Sequence, residues 1–310
     1  MKRLESRIPR PAAPVRRTAL APALDLARSA AYLAAAWSRG APGLGVHLQL
    51  LLLGAQLLLR RRIPRATAGG LMVAPLDSVR YFEVDFCLRA ALGIPAGRYL
   101  DLSSPRALPL LLLRQNPALS GELLNPDERD LAETRALVAA CGLQERCTLR
   151  AAPIAGAQIA PESCALVTAL SVIEHIPAHR EAVVALWRAV KPGGRLVVTV
   201  PCAREALEEY VDFDEYGLLA RDARGFVFGQ RFYDAALLRE TFFEVCGAPA
   251  ALEIFGERRP GTAREDRARK NSGLSRPWRE PYAVATGYAR FDGVDDLPGW
   301  GVAGLSFHKA

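Results

Sequence analysis

The spacing of apolar and polar positions changes along this chain, and the changes mark its elements. RYLDLS (98–103) is a short apolar run entering a tight polar turn, and comparable runs recur at ALSGELL (118–124), RCTLRAA (146–152), CALVTALS (164–171) and GRLVVTV (194–200). Runs of this length bounded by turn residues predict strands. Segments of helical spacing lie between them. In NPDERDLAETRALVAACG, Leu131, Thr134, Val138 and Cys141 share one face. Asn125 and Pro126 offer a cap and a first helical residue, Glu128 completes a capping-box spacing, and Gly142 supplies a left-handed stop. AHREAVVALWRAVKPGG predicts a second helix, ended by Gly193 and Gly194. Alternation of this kind predicts a largely parallel sheet with helices on both faces, whose ligands gather at the C-terminal ends of the strands.

The first 70 residues follow a different pattern and are read as a basic extension preceding a domain over 71–310. Residues 1–20 are rich in Pro, Ala and Arg without the periodicity that would bury a face, so they are expected to be flexible. The run VHLQLLLLGAQLLLRRR predicts an apolar helix over about 43–62, in which Gln49, Gln56 and Arg60 form a narrow polar stripe. It falls short of the roughly 20 apolar residues a bilayer span needs. Three readings stay open for residues 40–65: packing on the main domain, a peripheral membrane contact in which Arg60, Arg61 and Arg62 meet anionic lipid, or self-association.

Composition sharpens this division. The net charge of +7 is concentrated at the start, since residues 1–65 hold 12 Lys or Arg and 2 Asp or Glu. The remaining 245 residues carry 28 basic and 31 acidic groups, so the main domain is slightly acidic. Only four of the 40 basic residues are lysines, which reads as GC-rich coding bias, and no nucleic-acid partner is expected. The six cysteines form no C-x-x-C pair and have no histidines at zinc-ligand spacing, so reduced thiols and no metal site are expected. Asp25 and Arg28 interrupt the stretch that a secretory signal would need. The expected location is cytoplasmic, with peripheral contact to the inner face of the membrane as the variant.

YLDLSS followed by LVTALSVIEHIPAHREAVVALWRAVKPGGRLVVTVP resembles the class I S-adenosylmethionine-dependent methyltransferases of the small-molecule type that includes ubiquinone-biosynthesis enzymes. The specific part is E-H-I-P, a helix, K-P-G-G and an apolar strand ending in Pro201. GFVFGQRFYDAALLRETFFEVCG resembles the approach to the sixth strand, and GVAGLSFHKA the seventh. The resemblance covers residues 78–310. It implies a Rossmann-like, seven-stranded, mostly parallel sheet with an antiparallel last strand, and S-adenosylmethionine as the cofactor. The implied reaction is methyl transfer to a small-molecule or glycan-type acceptor. Because no G-x-G-x-x-G follows any strand, a nicotinamide dehydrogenase is disfavoured.

The chain departs from that family at the cofactor loop. Leu100 and Asp101 match, but Ser103, Pro105 and Ala107 stand on the three glycine positions, and Leu123 stands where an acid would bind ribose, with Glu122 adjacent. The cofactor-binding candidates are therefore Asp101, Ser103, Ser104, Glu122, Ser171 and Arg80. The helix after the loop starts either at Ser104–Pro105 or, preferred, at Pro109. His175 is the candidate general base, with a packing role as the alternative. A contact between Arg80 and Glu83 is the plainer reading of that pair. An insertion over about 203–231 is read as a lid over the acceptor through Tyr210, Tyr216, Phe228, Gln230 and Arg231, and residues 257–300 as a surface excursion capping the same end of the sheet. The rival to the enzyme is a catalytically inactive protein of the same fold, serving as a binding or scaffolding subunit with a filled cleft.

Overall fold

The computed structural model describes residues 1–7, 21–214, 217, 219–271 and 279–310. Strand β1 (Lys2–Ser6) is followed by helices α1 (Ala21–Trp37), α2 (Leu44–Leu59), α3 (Arg65–Val73) and α4 (Arg80–Ala90). The α/β part then runs β2 (Gly97–Leu102), α5 (Ala107–Gln115), β3 (Leu119–Leu124), α6 (Glu128–Ala140), β4 (Cys147–Arg150), β5 (Cys164–Leu170), α7 (His179–Ala189) and β6 (Val190–Cys202). A hairpin of β7 (Leu207–Val211) and β8 (Val227–Phe232) precedes α8 (Ala235–Leu238), a π-helical turn over Arg239–Phe243, and α9 (Glu244–Cys246). The chain closes with β9 (Ala251–Glu257), α10 (Thr262–Asn271), α11 (Glu280–Gly287), β10 (Tyr288–Phe291) and β11 (Gly301–His308).

The main sheet has eight strands in the order β10-β9-β11-β6-β5-β2-β3-β4. The five from β6 to β4 are mutually parallel, and β11 enters antiparallel between β6 and β9. The expected seven strands thus gain an eighth. Residues 288–291 of the supposed excursion add β10 to the edge, antiparallel to β9. The start of that segment is tied to the sheet as well: buried Glu257 at the end of β9 accepts from the N–H groups of Gly261 and Ala263.

Residues on alternate positions of each strand feed two cores. Tyr99, Leu123, Leu166 and Val197 pack under α2, α4, α5 and α6, while Leu100, Val167, Leu196 and Val198 pack under α7, α8 and the π turn. On the first face α4 lies close against β11: a Cβ added at Gly304 would come within 2.9 Å of the Phe86 ring. Phe86 in turn neighbours Phe82, which stacks on Phe255 at 4.9 Å.

The structure corrects several local expectations. The cap of α6 is Asp127, which accepts from the N–H groups of Arg129 and Asp130, whereas Asn125 braces the approach by accepting from the N–H of Asp127. Helix α5 begins at Ala107, between the two expected starts, and Pro109 falls in its first turn, where a missing N–H costs no helical bond. Helix α7 ends at Ala189, and Gly193 with Gly194 form an irregularity inside β6, bonded to the backbone of Lys309. Residues 2–6, expected to be flexible, are a strand parallel to β7, completing a second sheet in the order β1-β7-β8. The polar stripe of α2 is turned sideways onto the end of α5, where Gln115 donates to Gln49 at 2.7 Å.

A Gly304→Ala variant is expected to unfold at lower denaturant concentration, losing about 1–3 kcal/mol through overpacking against Phe86. Equilibrium urea unfolding measures it, and an unchanged midpoint would show that α4 yields freely.

Candidate active site

The C-terminal ends of β2, β3, β5 and β6 carry a polar network in two adjoining halves. At its centre is Asp101, buried in β2 beside Thr168 of β5. Its Oδ1 accepts from the Thr168 hydroxyl at 2.6 Å and the Tyr99 hydroxyl at 3.1 Å, and its Oδ2 accepts from the backbone N–H of Ser104 at 3.1 Å. Burial pushes the Asp101 carboxyl upward, and these donors oppose the shift by stabilising the carboxylate.

The turn answers how the chain dispenses with glycine. Ser103 adopts a left-handed φ of 48°, a conformation usually left to glycine, and holds it by donating its N–H and hydroxyl to the Leu124 carbonyl at 2.8 and 3.1 Å. Ser104 is buried, and its Oγ accepts from the N–H of Leu170 at 3.1 Å. The same device recurs one strand over. Ser171, with φ 47°, donates its N–H to the Thr199 carbonyl at 2.9 Å.

Ser171 also leads into the second half of the network. Its hydroxyl donates to Glu83 Oε1, which accepts from Thr199 Oγ1 at 2.8 Å, while Arg80 Nη1 donates to Glu83 Oε2 at 2.7 Å. The Arg80 to Glu83 contact therefore forms within α4, and the Ser171 and Thr199 bonds to Glu83 anchor that helix to the ends of β5 and β6. Glu174 is buried nearby with no hydrogen-bond partner at Oε2, and burial lifts its carboxyl to about 8. His175 follows it. Its Nδ1 donates to the Gly229 carbonyl at 2.6 Å, which leaves Nε2 as the lone-pair nitrogen of the neutral ring, 3.8 Å from Glu174 Oε1.

The inserted hairpin closes over this end. Arg231 is buried and donates to the carbonyls of Ile176 at 2.8 Å and Pro177 at 3.2 Å, so β8 is clamped to the E-H-I-P turn. Tyr210 and Phe228 meet edge to face at 5.8 Å, with Arg3 of β1 over the Tyr210 ring at 3.8 Å. Gln230 donates to buried Glu209 at 2.5 Å, and Arg267 of α10 pairs with the same carboxylate at 3.0 Å. Tyr216 lies outside the described residues.

The structure thus brings Asp101, Ser103 and Ser104 together in one subsite, and Arg80, Ser171 and His175 in its neighbour. It does not bring Glu122 to either. Strand parity turns Glu122 to the Leu100 face, away from Asp101, where it pairs with Arg98 and, at 2.9 Å, Arg150. The residue beside Asp101 on β3 is Leu123. Facing it across the turn, Arg106 binds Asp130 at 2.5 Å and also Glu133, both on α6, and Asp130 Oδ2 accepts from Asn125 Nδ2 at 2.9 Å. What remains between turn and helix is a cavity of about 10 Å³ bordered by Asp101, Ser103, Ser104, Leu123, Asn125 and Asp130. A larger concavity of about 390 Å³ shares none of these residues; it is lined by His179, Arg180, Leu237, Glu240, Thr241 and Glu244.

A family model described as a methyltransferase domain matches residues 111–198, from α5 to β6. Over that span the chain is similar to a methyltransferase domain. The match begins after the glycine-free turn. No curated protein matches the sequence. Among solved structures, the MccD protein is similar at 10% identity and TM-score 0.50, covering 74% of this chain and 97% of its own. Geranyl diphosphate C-methyltransferase from Streptomyces coelicolor A3(2) gives 11%, 0.49, 74% and 79%. A sarcosine dimethylglycine methyltransferase from Galdieria sulphuraria gives 15%, 0.47, 74% and 84%. At these identities the likeness concerns the fold alone.

Glu83, Arg106, Asp130 and Thr168 were not among the site candidates read from the sequence. Glu83 had a signal: in VRYFEVDFCL, three of its four helical neighbours, Val79, Phe86 and Cys87, are apolar, and the fourth is Arg80, its ion-pair partner. The other three are brought in by strand pairing or by a long-range ion pair.

Two measurements test this network. Asp101→Ala removes the acceptor of three buried donors, of which the Tyr99 and Thr168 hydroxyls keep only their mutual contact at 2.9 Å, and is expected to cost about 2 kcal/mol or more in urea unfolding; a loss below about 1 kcal/mol would mean that the carboxylate does not hold the turn. Glu174 keeps its proton in the folded state up to about 8, against an ordinary value of 4.5. The folded protein therefore binds more protons between those values, and stability falls with rising pH there, by up to about 1.4 kcal/mol per unit. Glu174→Gln should flatten that part of the stability profile, and an unaltered slope would assign it to other groups.

Proposed function

We propose that this chain transfers a methyl group from S-adenosylmethionine to a small-molecule or glycan-type acceptor. The observation that supports the reading is the Asp101-braced turn, which keeps a glycine-like backbone at Ser103 at the end of β2, where ligands of such sheets gather. The donor set suits a nucleoside: Asp101, Ser103, Ser104, Asn125 and Asp130 offer two carboxylates, two hydroxyls and an amide around one space. The space itself, about 10 Å³, admits one water, whereas pockets for such ligands run to roughly 300–1,000 Å³. Arg106 must therefore swing away from α6. Its ion pairs are partly exposed, so their release costs on the order of 0–1 kcal/mol. Release frees Asp130, which Asn125 holds in place, to accept from ribose hydroxyls in the role that Leu123 cannot fill.

The cofactor, when bound, supplies an activated methyl group on a sulfonium. The protein's own part is positioning and proton handling. The β1-β7-β8 sheet, clamped by Arg231, screens the acceptor from water. His175 is held with Nε2 unprotonated in its neutral form, so it is oriented to take a proton from an acceptor hydroxyl or amine. A second reading, a catalytically silent member of the fold acting as a binding or scaffolding subunit, is favoured by the narrow space and by Leu123.

Titration calorimetry with S-adenosylmethionine and its demethylated product separates the two. Binding by the wild type is expected, tightened by Arg106→Ala and weakened about tenfold by Asp130→Asn. No binding at millimolar ligand by either the wild type or Arg106→Ala would overturn the reading and leave the second. Binding that is indifferent to Asp130→Asn would keep the reading and remove Asp130 from it.

A further inference from the structure

We infer that the outer face of α2 docks on an anionic lipid bilayer. The helix is held rigidly from behind. Leu50, Leu53 and Leu57 enter the core, His47 is fully buried between the Tyr81 hydroxyl at 2.8 Å and the Met72 carbonyl at 3.2 Å, and burial lowers its pKa to about 4, so it packs neutral. Gly54 marks the crossing with α3, where an added Cβ would lie 3.0 Å from Leu71 and Met72.

Gln49, itself exposed, and Gln56 lean on the end of α5, and the large exposed side chains beside them are leucines. Leu48, Leu52 and Leu59 are 40%, 66% and 85% exposed, and they sit four and seven residues apart, on one helical face. Solitary exposed leucines need no explanation, but three in register on an anchored helix form a stripe.

Charge identifies the occupant. No Asp or Glu occurs from residue 26 to residue 76, while Arg60, Arg61, Arg62 and Arg65 follow directly on the leucine stripe. All four are exposed, and none has an ion-pair partner among the described residues. A leucine stripe ending in uncompensated arginines matches the headgroup boundary of an anionic membrane, apolar below and negative above. Among the described residues no helix is long and apolar enough to cross a membrane, so the contact lies in the plane of the surface.

The test is flotation of the full chain with phosphatidylcholine vesicles, with and without phosphatidylglycerol. Binding is expected only to the anionic vesicles, falling with added sodium chloride. It should drop at least about tenfold in Leu48→Gln/Leu52→Gln/Leu59→Gln and in Arg60→Ser/Arg61→Ser/Arg62→Ser/Arg65→Ser. Both variants replace exposed side chains, and unchanged thermal melts would show that they fold. Wild-type protein that stays with the unfloated fraction overturns the inference, as does binding equal in both folded variants. Light scattering covers the remaining occupant: a wild-type dimer abolished by the three glutamines would assign the face to a second copy of the chain and overturn the lipid.

Discussion

A single buried carboxylate organises the C-terminal end of the parallel strands. Asp101 sits in a sheet whose neighbouring strands offer almost only apolar side chains, and it is stable there because Thr168, Tyr99 and the Ser104 N–H donate to it. Each donor belongs to a part that must be placed: Thr168 to the adjacent strand, Ser104 to the turn that launches α5. With its Oδ2 bonded to the turn backbone, Ser103 is driven into a left-handed conformation that a serine otherwise avoids. The position of α5, and of Arg106 at its start, follows from that.

The second carboxylate, Glu83, extends the same principle from strand to helix. It joins Arg80, Ser171 and Thr199, so α4 is fastened to the ends of β5 and β6 through polar bonds, while Phe82 and Phe86 fasten it through packing. Ser103 and Ser171 occupy equivalent places at the ends of adjacent strands, each giving its N–H to the next strand's carbonyl. The result is a rigid polar floor. Above it, the β1-β7-β8 sheet is tied down through Arg231 and the His175 to Gly229 bond, so floor and cover meet at the E-H-I-P turn.

The alternating sheet, its helices and the polar turn after β2 were legible from periodicity, because each depends on residues close together in the chain, whereas Asp101 and the E-H-I-P segment were picked out by the family resemblance. Strand β1 was not. KRLES offers one apolar residue, and its pairing relies on backbone bonds to β7 and on partners about 200 residues away, Tyr210, Asp222 and Arg224. Strand β10 escaped for a similar reason: an edge strand of four residues in a polar segment takes its identity from β9. The cap of α6 moved from Asn125 to Asp127 because both residues suit the role and only the path of the chain out of β3 selects between them.

Local chemistry therefore determined the fold class, the placing of a polar turn after the first central strand, and the apolar character of α2, since periodicity and turn propensity act over a few residues. Tertiary structure decided which side chains share a site. Parity across strands put Leu123 rather than Glu122 beside Asp101, and the ion pairs of Arg106 drew α6 over the turn. Packing also decided how α2 is turned: the glutamines bond the end of α5 and Leu48, Leu52 and Leu59 face outward, a choice made by the neighbours and not by the helix.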